Sequence, residues 1–313
     1  MSIVEPYFKI RVNSLNPDKP ITFDLYIYIN ERHVLYLRAG SKLPQDKLEA
    51  FQKKNTDVFY VSETDRREYK NYVATQLTDT ALDKKKRGTI LKESTFSLIE
   101  DLFENPNMEQ TLEGAKEAVD NIIDFMQNED DAMAELIGLS SHDFYTYNHS
   151  LDVCIYSLGL GELVGINDQQ MLQELGRGGL LHDIGKRNVS TDIICKKGAL
   201  NDEEWEEMKK HPAFGLKILS TYGDAPDSIK ACVYEHHENF LGNGYPQNLK
   251  GEDIHPLARI VAIADTYDAL TTKRSYNEPM LPVTALQLMK DKLAARFDPD
   301  LMKAFYEVLF KMK

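Results

Sequence analysis

The segment LLHDIGK sets His182 beside Asp183 at the close of an apolar run, with Gly185 and Lys186 following. An adjacent imidazole and carboxylate can hold one ion together, or the carboxylate can give one oxygen to each of two ions. One such pair decides little, because His142-Asp143 repeats it. Company raises its weight. His236-His237 followed by Glu238 closes a second helical pattern, and His211-Pro212 opens another. His149 lies in a helical pattern whose apolar face carries Val153 and Tyr156. Asp265 falls on a strongly apolar face with Ile260, Val261 and Ala264, where a carboxylate without a cation partner is costly.

Together these are five imidazoles and two carboxylates. A nitrogen and oxygen set without sulfur suits Fe, Mn, Zn or Ni better than Mg, Ca or Cu(I). Seven donors exceed the needs of one ion and favour two. We assign His149, His182, Asp183 and Asp265 to one ion, and Asp183 as a bridge with His211, His236 and His237 to the other.

These residues fall in a region that reads as all helix. Helical spacing predicts helices over 142–164, 168–182, 201–210, 212–222, 226–237, 255–273, 281–295 and 298–311, with start signals such as Asn201-Asp202-Glu203-Glu204 and Asp298-Pro299-Asp300. The stretch 239–253, with three glycines and a proline, is a loop. Strand patterns are confined to the N-terminal part, at 8–12, 23–29, 33–38 and 58–61, with a turn at Asn30-Glu31-Arg32 and a short helix from Pro44 to about Lys54. From 63 to 129 leucines and charges recur at helical spacing, broken near Asn105-Pro106-Asn107. The expected fold class is therefore α+β: a small N-terminal sheet and helix domain over 1–62, a helical connector over 63–129 and an all-α domain over 130–313. Lys84-Lys85-Lys86-Arg87 reads as a solvated helix face. The N-terminal module carries no phosphoacceptor, haem or nucleotide signature and reads as regulatory or partner-binding.

Composition sets the bounds. The 313 residues carry 37 Lys+Arg and 50 Asp+Glu, a formal charge of −13, which argues against a nucleic-acid polymer as partner. Cys154, Cys195 and Cys232 are widely spaced and suggest neither a disulfide framework nor a thiolate zinc site. No run approaches the ~18 apolar residues of a membrane span and no signal-peptide plan opens the chain, so the expectation is a cytoplasmic protein without membrane insertion. Seven of the eight histidines lie between His142 and His255, which directs attention to the C-terminal half.

In this order, the motifs resemble those of the HD-GYP family, a subgroup of the HD-domain metal phosphohydrolases that hydrolyse cyclic di-GMP in bacteria. The matching elements are Asp143-x-Tyr145-Thr146-x-x-His149-Ser150, His182-Asp183-Ile184-Gly185-Lys186, Lys197-Gly198-x-Leu200, His211-Pro212-x-x-Gly215, His236-His237-Glu238, Gly242-x-Gly244-Tyr245-Pro246, Arg259-Ile260 and the run from Ala264 through Asp265 and Asp268 to Thr271. The resemblance implies a binuclear centre, with Fe as first choice and Mn as second, held by the seven donors above. It implies a metal-bridging hydroxide that attacks phosphorus in line and yields pGpG or GMP. Asp183 and Lys186 would then be catalytic, with Lys186, Tyr245 and Arg274 on the substrate and Asp143, Glu238, Arg259 and Asp268 supporting the ligands. It also implies protein partners at the Gly-Tyr-Pro loop, diguanylate cyclases among them.

Three positions depart from the family pattern. Leu241 stands where the loop usually begins with Asp. Tyr145 replaces a Glu that accompanies a third metal, so two metals are expected. Asn277 replaces a cation that would meet phosphate or guanine, and losing such a contact costs about 1–3 kcal/mol of binding. The alternative reading is therefore a weak or inactive sensor or scaffold that binds metal and nucleotide or a signalling partner. A nucleotide phosphohydrolase of the broader HD class accounts for His182, Asp183 and Asp265 but not for Gly244-Tyr245-Pro246.

Overall fold

The computed structural model describes residues 7–53, 58–105, 107–129, 131–139, 146–196, 198–222, 225–272 and 279–311. Asp143, Tyr145, Arg274 and Asn277 lie outside them. The chain divides into two compact units, one of Met1–Asp101 with Asp124–Leu139, the other of Leu102–Ile123 with Ser140–Lys313.

The first unit contains β1 (Tyr7–Arg11), β2 (Leu25–Ile29), β3 (Arg32–Leu37), α1 (Gln45–Lys53), β4 (Val58–Ser62) and α2 (Arg66–Leu77). Their strands form an antiparallel sheet in the order β1-β4-β2-β3. Strict alternation along β1 and β4 sends Phe8, Ile10, Phe59 and Val61 to one face, where Tyr69, Tyr72 and Val73 of α2 cover them. Burying each such side chain contributes about 1.5–3 kcal/mol. Asn30 and Glu31, both with positive φ, form the two-residue turn between β2 and β3, so Arg32 already belongs to the strand. The expected strands and short helix are thus present within one or two residues.

Two long helices follow, α3 (Lys84–Glu104) and α4 (Met108–Asn128), separated at the expected break, and then α5 (Ala132–Gly138). The division into units cuts both α3 and α4. The remaining helices are α6 (Thr146–Leu163), α7 (Gln169–Leu181), α8 (Thr191–Ile194), α9 (Asp202–Met208), α10 (His211–Tyr222), α11 (Asp227–Glu235), α12 (Pro256–Thr271), α13 (Pro282–Leu288) and α14 (Pro299–Lys311). Helix α6 is buried on every side from Asn148 to Gly161, and it packs on α7 and α12, while α11 packs on the same two. A helix buried on all sides is the central helix of its unit. The pattern expected as one helix over 281–295 instead leaves α13 through one π turn at Met289–Leu293 and a tight turn at Ala294–Arg296. The fold class is α+β, with an all-helical C-terminal unit. Among the described residues no helix is long and apolar enough to cross a membrane.

Candidate metal centre

Five segments meet at the centre. Helix α6 supplies His149, the C-terminal end of α7 supplies His182 and Asp183, the first residue of α10 is His211, the end of α11 gives His236 and His237, and α12 gives Asp265 and Asp268. Local sequence fixes each approach. Asp168 starts α7 by accepting a hydrogen bond from the Met171 amide at 2.8 Å. After Asp183 the chain tightens into a turn at Ile184–Asn188 that lies against the start of α10. A Cβ on Gly185 would fall 1.9 Å from the His211 carbonyl oxygen and 2.4 Å from the Gly215 nitrogen. Only glycine permits that approach, which brings His211 beside Asp183.

The imidazoles are aimed by their Nδ1 atoms. His182 Nδ1 donates to the Gly179 carbonyl at 2.7 Å and His211 Nδ1 to the Met208 carbonyl at 2.8 Å. His236 Nδ1 reaches the Val233 and Cys232 carbonyls at 3.0 and 3.2 Å. His149 Nδ1 donates to Asp268 Oδ2 at 2.6 Å, and Asp268 Oδ1 accepts from the Thr272 hydroxyl. A carbonyl, like the Asp268 carboxylate, accepts, so each of these Nδ1 atoms carries the proton and Nε2 is the atom turned inward.

Those Nε2 atoms face one another. His149 and His182 approach at 3.2 Å, His211 and His236 at 3.1 Å. Asp183 serves both pairs. Its Oδ2 lies 3.4 Å from His182 Nε2 and 3.6 Å from His149 Nε2, while Oδ1 lies 3.3 Å from His211 Nε2 and 4.0 Å from His236 Nε2. Asp265 Oδ1 is 3.1 Å from His149 Nε2, and its Oδ2 is 4.0 Å from His237 Nδ1. His149, His182 and Asp183 form one donor group and His211, His236 and His237 another. Lone pairs converging at such distances repel unless a cation lies among them. Asp183 Oδ1 is also buried without a hydrogen-bond donor among the described residues. The donors therefore fit divalent metal ions.

Electrostatics agree with ligand states. Burial lowers the His211 pKa to about 4, with Lys186 and His182 adding to the effect and Asp183 opposing it. Burial also holds His236 well below its ordinary value, reinforced by His237, His182 and His211. Burial works against charge on Asp183, but Lys186, His182 and His211 outweigh it and hold the carboxyl well below the carboxylate range. Asp265 is likewise low, because His149, His182 and His237 overcome its burial. Neutral imidazoles and charged carboxylates are what a metal binds.

The centre opens on one side. His149, His182, Asp183, His211 and His236 are buried, whereas His237, Asp265 and Lys186 are partly open. Lys186 Nζ lies 2.5 Å from Asp183 Oδ2. On the open side the Tyr245 ring lies 4.7 Å from the His237 ring at 31°. Glu238 anchors that loop, accepting from the Gln247 amide at 2.6 Å and the Leu249 amide at 3.0 Å. A Cβ on Gly244 would fall 2.4 Å from the Asn239 nitrogen, so the loop folds back tightly on the end of α11. Arg259 instead pairs with Asp298 at 2.6 Å and ties α12 to the start of α14. His255, to which sequence assigned no role, caps α12 by accepting from the Leu257 amide at 3.2 Å, while its own amide donates to Glu235 at 2.7 Å. Its place before Pro256 was the available signal.

A model of the HD domain family matches residues 132–301, more than half of the chain. A cyclic di-GMP phosphodiesterase of Pseudomonas aeruginosa is 33% identical over 210 residues, covering 66% of this chain and 50% of that protein. A 3'3'-cGAMP-specific phosphodiesterase of Vibrio cholerae is 35% identical over 166 residues, covering 53% of this chain and 35% of that protein. The chain thus spans half the length, or less, of these curated relatives. An HDG"Y"P protein of Bdellovibrio bacteriovorus has the same fold, with a TM-score of 0.77 at 24% identity over 97% of this chain and 100% of that one. The chain belongs to the HD domain family and, within it, to the HD-GYP group.

Proposed function

We propose that this chain is a metal-dependent phosphodiesterase that hydrolyses cyclic di-GMP to pGpG or GMP. The observation that carries the proposal is Asp183, whose two oxygens face two separate imidazole pairs at 3.3 to 4.0 Å. The names of the Pseudomonas and Vibrio relatives support the substrate class. Two ions, with iron preferred over manganese, would supply an activated water and neutralise charge on the phosphoryl oxygens. His149, His182, Asp183 and Asp265 would hold one, and His211, His236, His237 and the shared Asp183 the other. Asp268 keeps the His149 proton on Nδ1 and its Nε2 free. Lys186 stands at the open edge, where its ammonium meets a non-bridging phosphoryl oxygen. Tyr245 lines the same edge, and Arg274 completes the substrate contacts. By the family resemblance Asp143 would support the ligands, whereas Arg259 serves the packing of α12 through Asp298.

The sheet module over 1–62 is the regulatory part of this reading, 63–129 its connector and 130–313 its enzyme, working in the cytoplasm. Leu241, 54% exposed in the Gly-Tyr-Pro loop, favours a second reading in which that loop docks a signalling protein such as a diguanylate cyclase. The deciding experiment measures metal content and cyclic di-GMP turnover with Fe(II) or Mn(II), beside His182→Ala and Asp183→Ala. Turnover that needs both residues supports the enzyme. Full turnover without Asp183 overturns the two-metal reading, and bound metal without turnover moves the assignment to the sensor.

A further inference from the structure

Trp205 is the only tryptophan of the chain and stays 47% exposed. It sits on α9, a helix pinned at both ends. At the start, Asn201 and Glu204 form a reciprocal cap, with the Glu204 amide donating to Asn201 at 2.8 Å and the Asn201 amide to Glu204 at 2.7 Å. Lys196 Nζ grips the same Glu204 carboxylate at 2.5 and 2.7 Å. At the far end, the Met208 carbonyl receives the His211 Nδ1 proton at 2.8 Å. Trp205, less than one turn before Met208, is therefore held at a set place beside the centre.

Its neighbour there is Tyr245. The two ring centroids are 6.4 Å apart with planes at 80°, an edge-to-face pair. Tyr245 in turn lies against His237. Three rings thus run from solvent to the metal ligands, and the outermost carries the largest π surface. A half-open indole costs apolar burial, and a purine base is a flat partner that would recover it. In a nucleotide the base is separated from its phosphate by one sugar, so a phosphate at the centre brings its base within reach of this line of rings.

Resting on the phosphodiesterase reading above, we propose that Trp205 is the stacking platform for a purine base of the cyclic dinucleotide substrate. It is a substrate-binding residue, and the contact belongs to ground-state binding as much as to the transition state, so its loss acts on KM.

The test uses the intact metal-loaded protein. Cyclic di-GMP and GMP should quench Trp205 fluorescence saturably, with ribose 5-phosphate as the base-free control that leaves it unchanged. Trp205→Ala should raise KM for cyclic di-GMP on the order of ten-fold or more, while kcat and metal content stay within about two-fold and Trp205→Phe recovers most of the loss. Quenching by the base-free phosphate equal to that by GMP overturns the stacking assignment, as does an unchanged KM in Trp205→Ala. Wild-type protein that quenches with GMP but turns over no cyclic dinucleotide retains the platform and overturns the enzyme reading instead.

Discussion

Lys186 Nζ lies 2.5 Å from Asp183 Oδ2, the same oxygen that faces His149 and His182. The ammonium thus rests where a divalent ion would draw on that oxygen. With 20% of its side chain open, Lys186 has room to swing outward toward a phosphoryl group. We expect Lys186→Met to take up metal at the His149 and His182 donors at lower free concentration than wild type. The same variant should lose roughly 10–100-fold in turnover, the worth of one charge-assisted hydrogen bond. Metal titration followed by steady-state kinetics checks both, and a variant with wild-type turnover would remove Lys186 from the chemistry.

Asp268 governs His149 alone. Asp268→Ala leaves the Nδ1 proton without its carboxylate, lets the ring change tautomer, and should weaken metal affinity about 10–100-fold while the fold persists. Competition with a chromogenic chelator reads the affinity. Retention of full affinity would show that the ring is oriented by packing.

Gly185→Ala forces a methyl group into the His211 carbonyl. Overpacking of this kind costs about 1–3 kcal/mol or more and should lower Tm by several degrees, with loss of metal. Gly138→Ala, where a Cβ meets no atom within 4 Å, is the control and should leave Tm unchanged. Equal Tm in both variants would contradict the close approach of α10 to the turn after Asp183.

His255 gives a pH signature distinct from the ligands. Burial lowers its pKa from 6.5 and Arg259 adds to the shift, and it is the neutral ring that caps α12 by accepting from the Leu257 amide. A depressed folded pKa means that the stability is fully present above 6.5 and is lost as pH falls toward the folded value. His255→Asn retains a cap that does not titrate. The stability advantage of wild type over the variant should therefore shrink between pH 7.5 and pH 5.5 in chemical denaturation, and a constant difference would exclude the ring as the titrating group.

Metal removal should destabilise the C-terminal unit, since facing lone pairs and buried carboxylate charge return when the cations leave. Ligand at one hundred times its dissociation constant contributes about 2.7 kcal/mol. Chelation should lower Tm reversibly in wild type and leave Asp183→Ala unmoved. A chelator-insensitive wild type would argue against resident metal.

Much of this centre was legible because metal ligation restricts residue type. His236-His237 and the acid at Asp265 on an apolar face are conspicuous for their cost, and the structure brings all seven predicted donors together. What aims them was not legible. The partners of His182, His211 and His236 are main-chain carbonyls, which every residue possesses and no side chain announces. Arg259 reads as an attendant of the ligands, yet it pairs with Asp298 across a sequence gap that periodicity cannot bridge. The helices followed from their spacing, but the π turn after α13 did not, because its pattern is that of an ordinary helix. Trp205 escaped notice since its neighbours on α9 are acidic and the residue it meets, Tyr245, lies on a separate loop.

Of the four imidazoles buried at the centre among the described residues, three take their orientation from carbonyl oxygens and one from the Asp268 side chain. A carbonyl survives any substitution at its own position, whereas a carboxylate is erased by a single codon change. The centre's tolerance to mutation is therefore uneven: the surroundings of His182, His211 and His236 can drift widely while their rings stay aimed, and heritable damage to ring orientation concentrates at one residue of α12.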